Sequence, residues 1–179
     1  NYLGILGDGS LIDKSTFVQA IGISNAVMIG SSGDSTHALA IRSDGFVFAT
    51  GSSFYGQCGD NLLGSRTTFV QAIGISYCLA VAVGLMHSSA LRSDGLVFSA
   101  GYNFYGELGD NTTASKKTFV QSIGISNAVA LSRGTYHVLA LRSDGLVFSC
   151  GLNNIGQLGI NSVLTKQTFV QTVGISNIV

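Results

Sequence analysis

Three histidines recur along the chain at a step of 50 residues: His37, His87 and His137. Histidines at such regular intervals invite two chemical readings, as a metal set converging on an axis or as general bases. The interval itself argues against both, because a group needed once by chemistry rarely recurs in every unit of a repeat. Each histidine also follows closely on a glycine that ends a predicted strand. The expectation is therefore structural: each ring hydrogen-bonds neighbouring backbone. Asp44, Asp94 and Asp144 keep the same step, each followed by Gly45, Gly95 or Gly145. One carboxylate per "RSDG" is too few for calcium, which needs several oxygen ligands in one loop. These aspartates are read as turn residues, paired weakly with Arg42, Arg92 and Arg142.

Other chemistry finds no purchase. Cys58, Cys78 and Cys150 are an odd number with no Cys-x-x-Cys pair, so they are read as small buried hydrophobes. "GDGS" at 7–10 and "GSSGDS" at 30–35 do not lead into Gly-Lys-Ser/Thr, so they are loops rather than phosphate cradles. There is no Gly-x-Ser-x-Gly elbow and no His-Glu-x-x-His. Glu107 is the only glutamate, which leaves a paired-carboxylate hydrolase nothing but turn aspartates to use. The expectation is a non-enzyme with no catalytic residue, no metal and no cofactor.

The elements that would position these residues follow from the repeat. "TFVQ" stands at 16–19, 68–71, 118–121 and 168–171, and "RSDG" at 42–45, 92–95 and 142–145. The unit is 50 residues, and the first carries two more, within 30–37. "HVLALR" and "LVFSC" flank Ser143-Asp144-Gly145, a β-hairpin signal because glycine supplies positive φ cheaply. "NAVALSRG" at 127–134 and "TFVQSI" at 118–123 read as two further strands, and "TFVQAI" at 16–21 as their counterpart. No window shows capped helical periodicity. The expected fold is all-β, with four antiparallel strands per unit in the manner of propeller blades, about three and a half of them. The expected division is a partial repeat over 1–23, repeats over 24–73, 74–123 and 124–173, and the start of another over 174–179.

The order Gly101, Asn103, Gly106, Leu108, Gly109, then Gly134, His137, Leu141, Asp144, Gly145, Val147 and Gly151 resembles the regulator of chromosome condensation repeat family. The resemblance covers the whole chain. It implies blades of a seven-bladed propeller and, as one function, nucleotide exchange on a small GTPase at chromatin. In the family that work uses an inserted wedge between blades, and the repeat here gains only two residues. The chain departs from the family pattern in having no proline, and Cys150, Ala100 and Thr50 where tryptophan is common. Kelch units have a similar length, but their Gly-Gly doublet and tryptophan are absent.

Nine basic residues balance nine acidic ones, and 46% of residues are apolar. The chain is globular by composition, with no basic patch to attract nucleic acid and no apolar run long enough for a spanning helix. Its partners are expected to be other proteins, or further copies of itself through open blade ends near Val18, Ile21 and Val179. Opening and closing inside a repeat, it is expected to be a segment of a longer array, with targeting information removed or never included. Phe54, Tyr55, Phe104 and Tyr105 lie in the Gly-rich loops. They either pack between blades, the preferred reading, or stand exposed for a protein or glycan contact. Asn111-Thr112-Thr113 is an N-glycosylation sequon, informative in a secreted chain. Low charge and Ser/Thr-rich loops suit an extracellular or surface-exposed scaffold, up to a fibre. The alternative function is the exchange-factor-like propeller.

Overall fold

Among the described residues, every strand belongs to one of three antiparallel sheets. The computed structural model describes residues 1–178; Val179, placed at a blade end by the repeat, lies outside the described residues. The first sheet orders β1 (Ala26–Gly30), β2 (His37–Arg42), β3 (Val47–Gly51) and β4 (Arg66–Gln71) side by side. The second holds β5 (Cys78–Val83), β6 (His87–Arg92), β7 (Val97–Gly101) and β8 (Lys116–Gln121). The third holds β9 (Ala128–Arg133), β10 (His137–Arg142), β11 (Val147–Gly151) and β12 (Lys166–Gln171). This is the blade architecture expected from the repeat, with no helix among the described residues.

The central hairpin of each blade is built by "RSDG". Gly45 N–H donates to the Arg42 carbonyl and Arg42 N–H to the Phe46 carbonyl, a three-residue turn closed by Gly45 at φ +82°. Asp44 accepts Phe46 N–H and forks onto the Arg42 guanidinium at 2.6 Å. The Arg42 guanidinium lies 4.8 Å from the Phe48 ring centre, and the other two hairpins repeat the arrangement at 4.6 and 4.7 Å. The pair is exposed, so it shapes the tip rather than stabilising the fold by much.

The hairpin tip also fastens blade to blade. Gly45 carbonyl accepts Cys78 N–H of the next blade, and Gly95 carbonyl accepts Ala128 N–H. A methyl on Gly95 would stand 2.7 Å from Asn127 Cα, so the close approach and the positive φ both require glycine there. The residues met by the tips, Tyr77, Asn127 and Asn177, all have left-handed φ near +57°.

A second fastening is made by the Gly-rich loop after the third strand of the first and second blades. The loop of the first blade reaches the outer strand of the second: Asn61 N–H donates to Lys117 carbonyl, and Phe119 N–H to Ile73 carbonyl. A methyl on Gly56 would lie 2.6 Å from Lys117 Cα, and one on Gly59 2.6 Å from the Phe119 ring. Phe119 is thereby seated on a glycine floor. The second loop seats Phe169 in the same way, through Asn111 N–H to Gln167 carbonyl and Phe169 N–H to Ile123 carbonyl. Residues 1–22 seat Phe69, through Gly9 and Ile21.

The core therefore lies between blades. One cluster joins Leu39, Ile41, Val47 and Cys58 of the first blade with Val83, Phe98 and Phe119 of the second. Another joins Leu91 and Val97 with Val138, Phe148, Cys150 and Phe169.

One expected strand is absent: residues 16–21 form no ladder. In the blades, "TFVQ" pairs with the strand that precedes the Gly-rich loop (β3, β7 or β11). No described strand lies beside 16–21 in that role. The other boundary correction is small, β8 starting at Lys116 rather than 118.

Gly95→Val should destabilise the chain by at least about 2 kcal/mol in chemical denaturation, since it adds both strain and a backbone clash. Tyr77→Asn should do the reverse, raising stability by about 0.5–1 kcal/mol, because asparagine tolerates the left-handed conformation that Tyr77 adopts at φ +57°.

Candidate functional site

His37 and His87 are fully buried and His137 is half-buried. The glycine three places before His87 and before His137 lies close to the ring, and a methyl on Gly84 would stand 2.7 Å from His87 Cε1. Ser88 Oγ is committed as donor to the Gln57 carbonyl at 2.7 Å, so His37 Nε2–H donates to Ser88 Oγ at 2.9 Å. The bond that His37 makes thus goes to a side chain of the next blade rather than to local backbone. His87 has no protein partner on either ring nitrogen. The position after the next blade's histidine is Val138, which has no hydroxyl to offer. Burial and the nearby Arg133 charge push His37 down to about 3 and His87 well below the ordinary imidazole range. Neutral, enclosed rings of this kind are poor proton shuttles.

Arg133 is the cation beside them. Its Nη1 donates to the His87 carbonyl at 2.8 Å, while Nε and Nη2 have no protein partner. Burial pulls its guanidinium down to about 9. It borders a hollow of about 200 Å³ lined by Asp34, Val83, Leu85 and Thr135. Among the described residues no three of His, Cys, Asp and Glu come together as a metal set.

The loop face carries a different cluster. Tyr55 meets Tyr102 edge-on with ring centres 5.0 Å apart, and Tyr102 stacks on Phe104 at 6.3 Å. Tyr105 meets Phe104 at 5.2 Å and Tyr136 at 5.6 Å, both edge-on. Five aromatic rings thus run without a gap from the first blade to the third. The four aromatics named by the sequence divide: Tyr105 is half-buried in this cluster, while Phe104 is 65% exposed, Phe54 59% and Tyr55 40%. The packing reading fails for Phe54 and Phe104, because the loop turns their rings outward. On the third blade Asn154 stands in the place of Phe54 and Phe104, and Ile155, 82% exposed, in the place of Tyr55 and Tyr105. Asn111 is exposed at a loop turn, with its N–H held by the Gln167 carbonyl.

Beneath the aromatics lies Glu107, fully buried. Its Oε2 accepts Tyr105 N–H at 2.9 Å, and Oε1 has no partner. Gln57 makes the same bond to Tyr55 N–H and also donates to Ser52 Oγ. Burial pushes Glu107 up to about 7, so below neutral pH it carries its proton and resembles the glutamine that stands at 57 and 157. Arg133, Tyr102 and Tyr136 escaped the sequence reading, and Glu107 entered it only as the lone glutamate. Their signal is that they break the repeat: Val83, Ser52 and Leu152, Thr36 and Met86, and Gln57 and Gln157 stand in the corresponding places.

Residues 128–157 match the model of the regulator of chromosome condensation (RCC1) repeat. No curated protein matches the chain. Among solved structures, Prp20p from Saccharomyces cerevisiae, described with its binding properties to Gsp1p and histones, superposes with a TM-score of 0.81 at 18% identity, over 99% of this chain and 45% of that one. Yeast RCC1 (Prp20) bound to Kap60 gives 0.79 at 18% identity, over 97% and 43%. Human WBSCR16 gives 0.71 at 23% identity, over 83% and 40%. The chain spans less than half the length of each. The likeness establishes the fold: three blades similar to those of regulator of chromosome condensation propellers.

Glu107→Gln should raise stability above pH 7 and flatten its pH dependence. The folded chain keeps the Glu107 proton up to about pH 7, whereas the unfolded chain loses it near 4.5. Its contribution is therefore whole below pH 4.5 and is lost as pH rises to 7. The difference between variant and parent should grow to roughly 3 kcal/mol across that window. Parallel denaturation series between pH 4 and about 8 check this.

Proposed function

We propose that the chain is a non-enzymatic scaffold for protein–protein interaction, working through the loop face of its blades. The observation that supports this is the aromatic cluster of Tyr55, Tyr102, Phe104, Tyr105 and Tyr136, continuous across three blades. Phe54 and Phe104 stand exposed at matching positions of two loops, and Ile155 is exposed in the place of Tyr55 and Tyr105. Aromatic residues of this kind supply large contact area with little loss of side-chain freedom, and they dominate binding energy at interfaces. Burial keeps His37 neutral and pushes the Cys58 thiol up to about 12, so neither is an activated base or nucleophile. Other proteins, or further copies of this chain, are the partners such a scaffold takes. Its wider form is a surface-exposed assembly with sugar on loops such as that of Asn111.

The second reading is an exchange-factor-like propeller that binds a small GTPase. Its support is the likeness in fold to Prp20p and that protein's binding to Gsp1p.

Replacing Phe54 and Phe104 together by serine should leave stability within about 0.5 kcal/mol, as for other surface changes. The same variant should weaken capture of a protein partner at least about tenfold. Unchanged capture by the variant overturns the scaffold reading of this face. Faster nucleotide release from a small GTPase in the presence of the chain would select the second reading.

A further inference from the structure

The repeat departs from itself twice at one place. The first unit carries its two extra residues within 30–37, and the third puts Arg133 where the second has Val83. Both departures border the same hollow of about 200 Å³. Ser32 and Asp34 of the first blade, Val83 and Leu85 of the second, and Arg133 and Thr135 of the third line it. Its walls thus come from the interior of three consecutive blades.

Arg133 arrives there with donors to spare. Nη1 is spent on the His87 carbonyl at 2.8 Å, and glycine at 84 leaves room for that approach. Nε and Nη2 are buried without a protein partner. These two nitrogens share one edge of the guanidinium, where their N–H groups run parallel, the geometry that grips a carboxylate with two hydrogen bonds. A buried cation with unmade hydrogen bonds is costly, and Val83 shows that the blade does not need one at this position. Asp34 is the second charge of the hollow. Its carboxylate is exposed, and among the described residues neither Asp34 nor Arg133 belongs to an ion pair.

We propose that this hollow binds a small aminocarboxylate, a molecule carrying a carboxylate and an ammonium group a few bonds apart. The carboxylate takes the Nε–Nη2 edge of Arg133, the ammonium faces Asp34, and Val83 and Leu85 border the aliphatic part between them. A simple anion is attracted by Arg133 and repelled by Asp34, and a simple amine meets the reverse. Only a molecule with both charges gains from both. The hollow is smaller than the roughly 300–1,000 Å³ of pockets for drug-sized ligands, so the ligand is of amino-acid size. A peptide end offers only one of the two charges. The paired nitrogens lie below the surface, so a ligand engages them by displacing the loop over 31–36, which borders the same hollow and belongs to no strand. The proposal stands whether or not Phe54 and Phe104 bind a partner.

Calorimetric titration at fixed ionic strength tests it, with free glycine, 4-aminobutyrate, acetate and methylammonium as probes. The parent chain should bind one of the two aminocarboxylates at least about tenfold more tightly than acetate or methylammonium. Arg133→Val, which restores the residue of the second blade, should keep the fold and weaken that binding at least about tenfold. Arg133→Lys keeps the charge without the paired edge and should weaken it too, which decides the matter where the valine variant fails to fold. Asp34→Asn should bring the aminocarboxylate down to the level of acetate. A parent chain that binds neither aminocarboxylate overturns the proposal, as does binding that the Arg133 variants leave unchanged. Acetate bound as tightly as the aminocarboxylates, with Asp34→Asn without effect, also overturns it, since Arg133 then holds anions of any kind.

Discussion

A blade of this chain cannot bury its own apolar face; it can only share it with the next blade. A single four-stranded sheet has two sides and no interior. Leu39 and Ile41 become buried because Val83 and Phe98 of the following sheet close over them, and Leu91 and Val97 because Val138 and Phe148 do the same. Everything periodic in the sequence serves that closure. The hairpin tip must let a neighbour's backbone pass within van der Waals contact, hence glycine at 45, 95 and 145. The Gly-rich loop must let another strand lie on it, hence glycine at 56, 59, 106 and 109. A fold held together by identical seams behaves as a one-dimensional stack, in which nearest-neighbour contacts carry most of the stability.

The seams also explain what is tolerated inside them. His37 has a hydroxyl waiting at Ser88, and His87 has none at Val138, yet both rings occupy the same place. Shape is kept where a hydrogen bond is not. Glu107 follows the same logic: a carboxyl group fills the place of a glutamine amide, and burial pushes it towards its neutral form. Polar departures accumulate at the second and third blades, around Tyr102, Glu107, Arg133 and Tyr136. There the molecule differs most from an ideal repeat.

Much of this was legible in the sequence. Three copies of Arg-Ser-Asp-Gly between apolar runs specify three hairpins, and the constant step of "TFVQ" gives each blade its outer strand. The exception, residues 16–21, has the right residues and no strand to pair with, and a strand is a property of two segments rather than one. Side-chain surroundings were less legible. Nothing in the letters distinguishes Phe104, turned to water, from Tyr105, packed under Tyr136, because the two are adjacent and chemically alike. Reading the repeat for its consensus also hid its departures. Arg133 and Glu107 are conspicuous only when each is compared with the residue 50 places away.

The three cysteines take on an unplanned usefulness from this arrangement. Cys58 and Cys78 lie in the seam between the first and second blades, and Cys150 lies in the seam between the second and third. All are free, and burial pushes the Cys58 and Cys78 thiols up to about 12, where almost no thiolate exists at neutral pH. An alkylating reagent can reach a given thiol only when its own seam parts. The chain thus carries built-in clocks for local opening, and their separate labelling rates tell whether the stack comes apart one joint at a time or all at once.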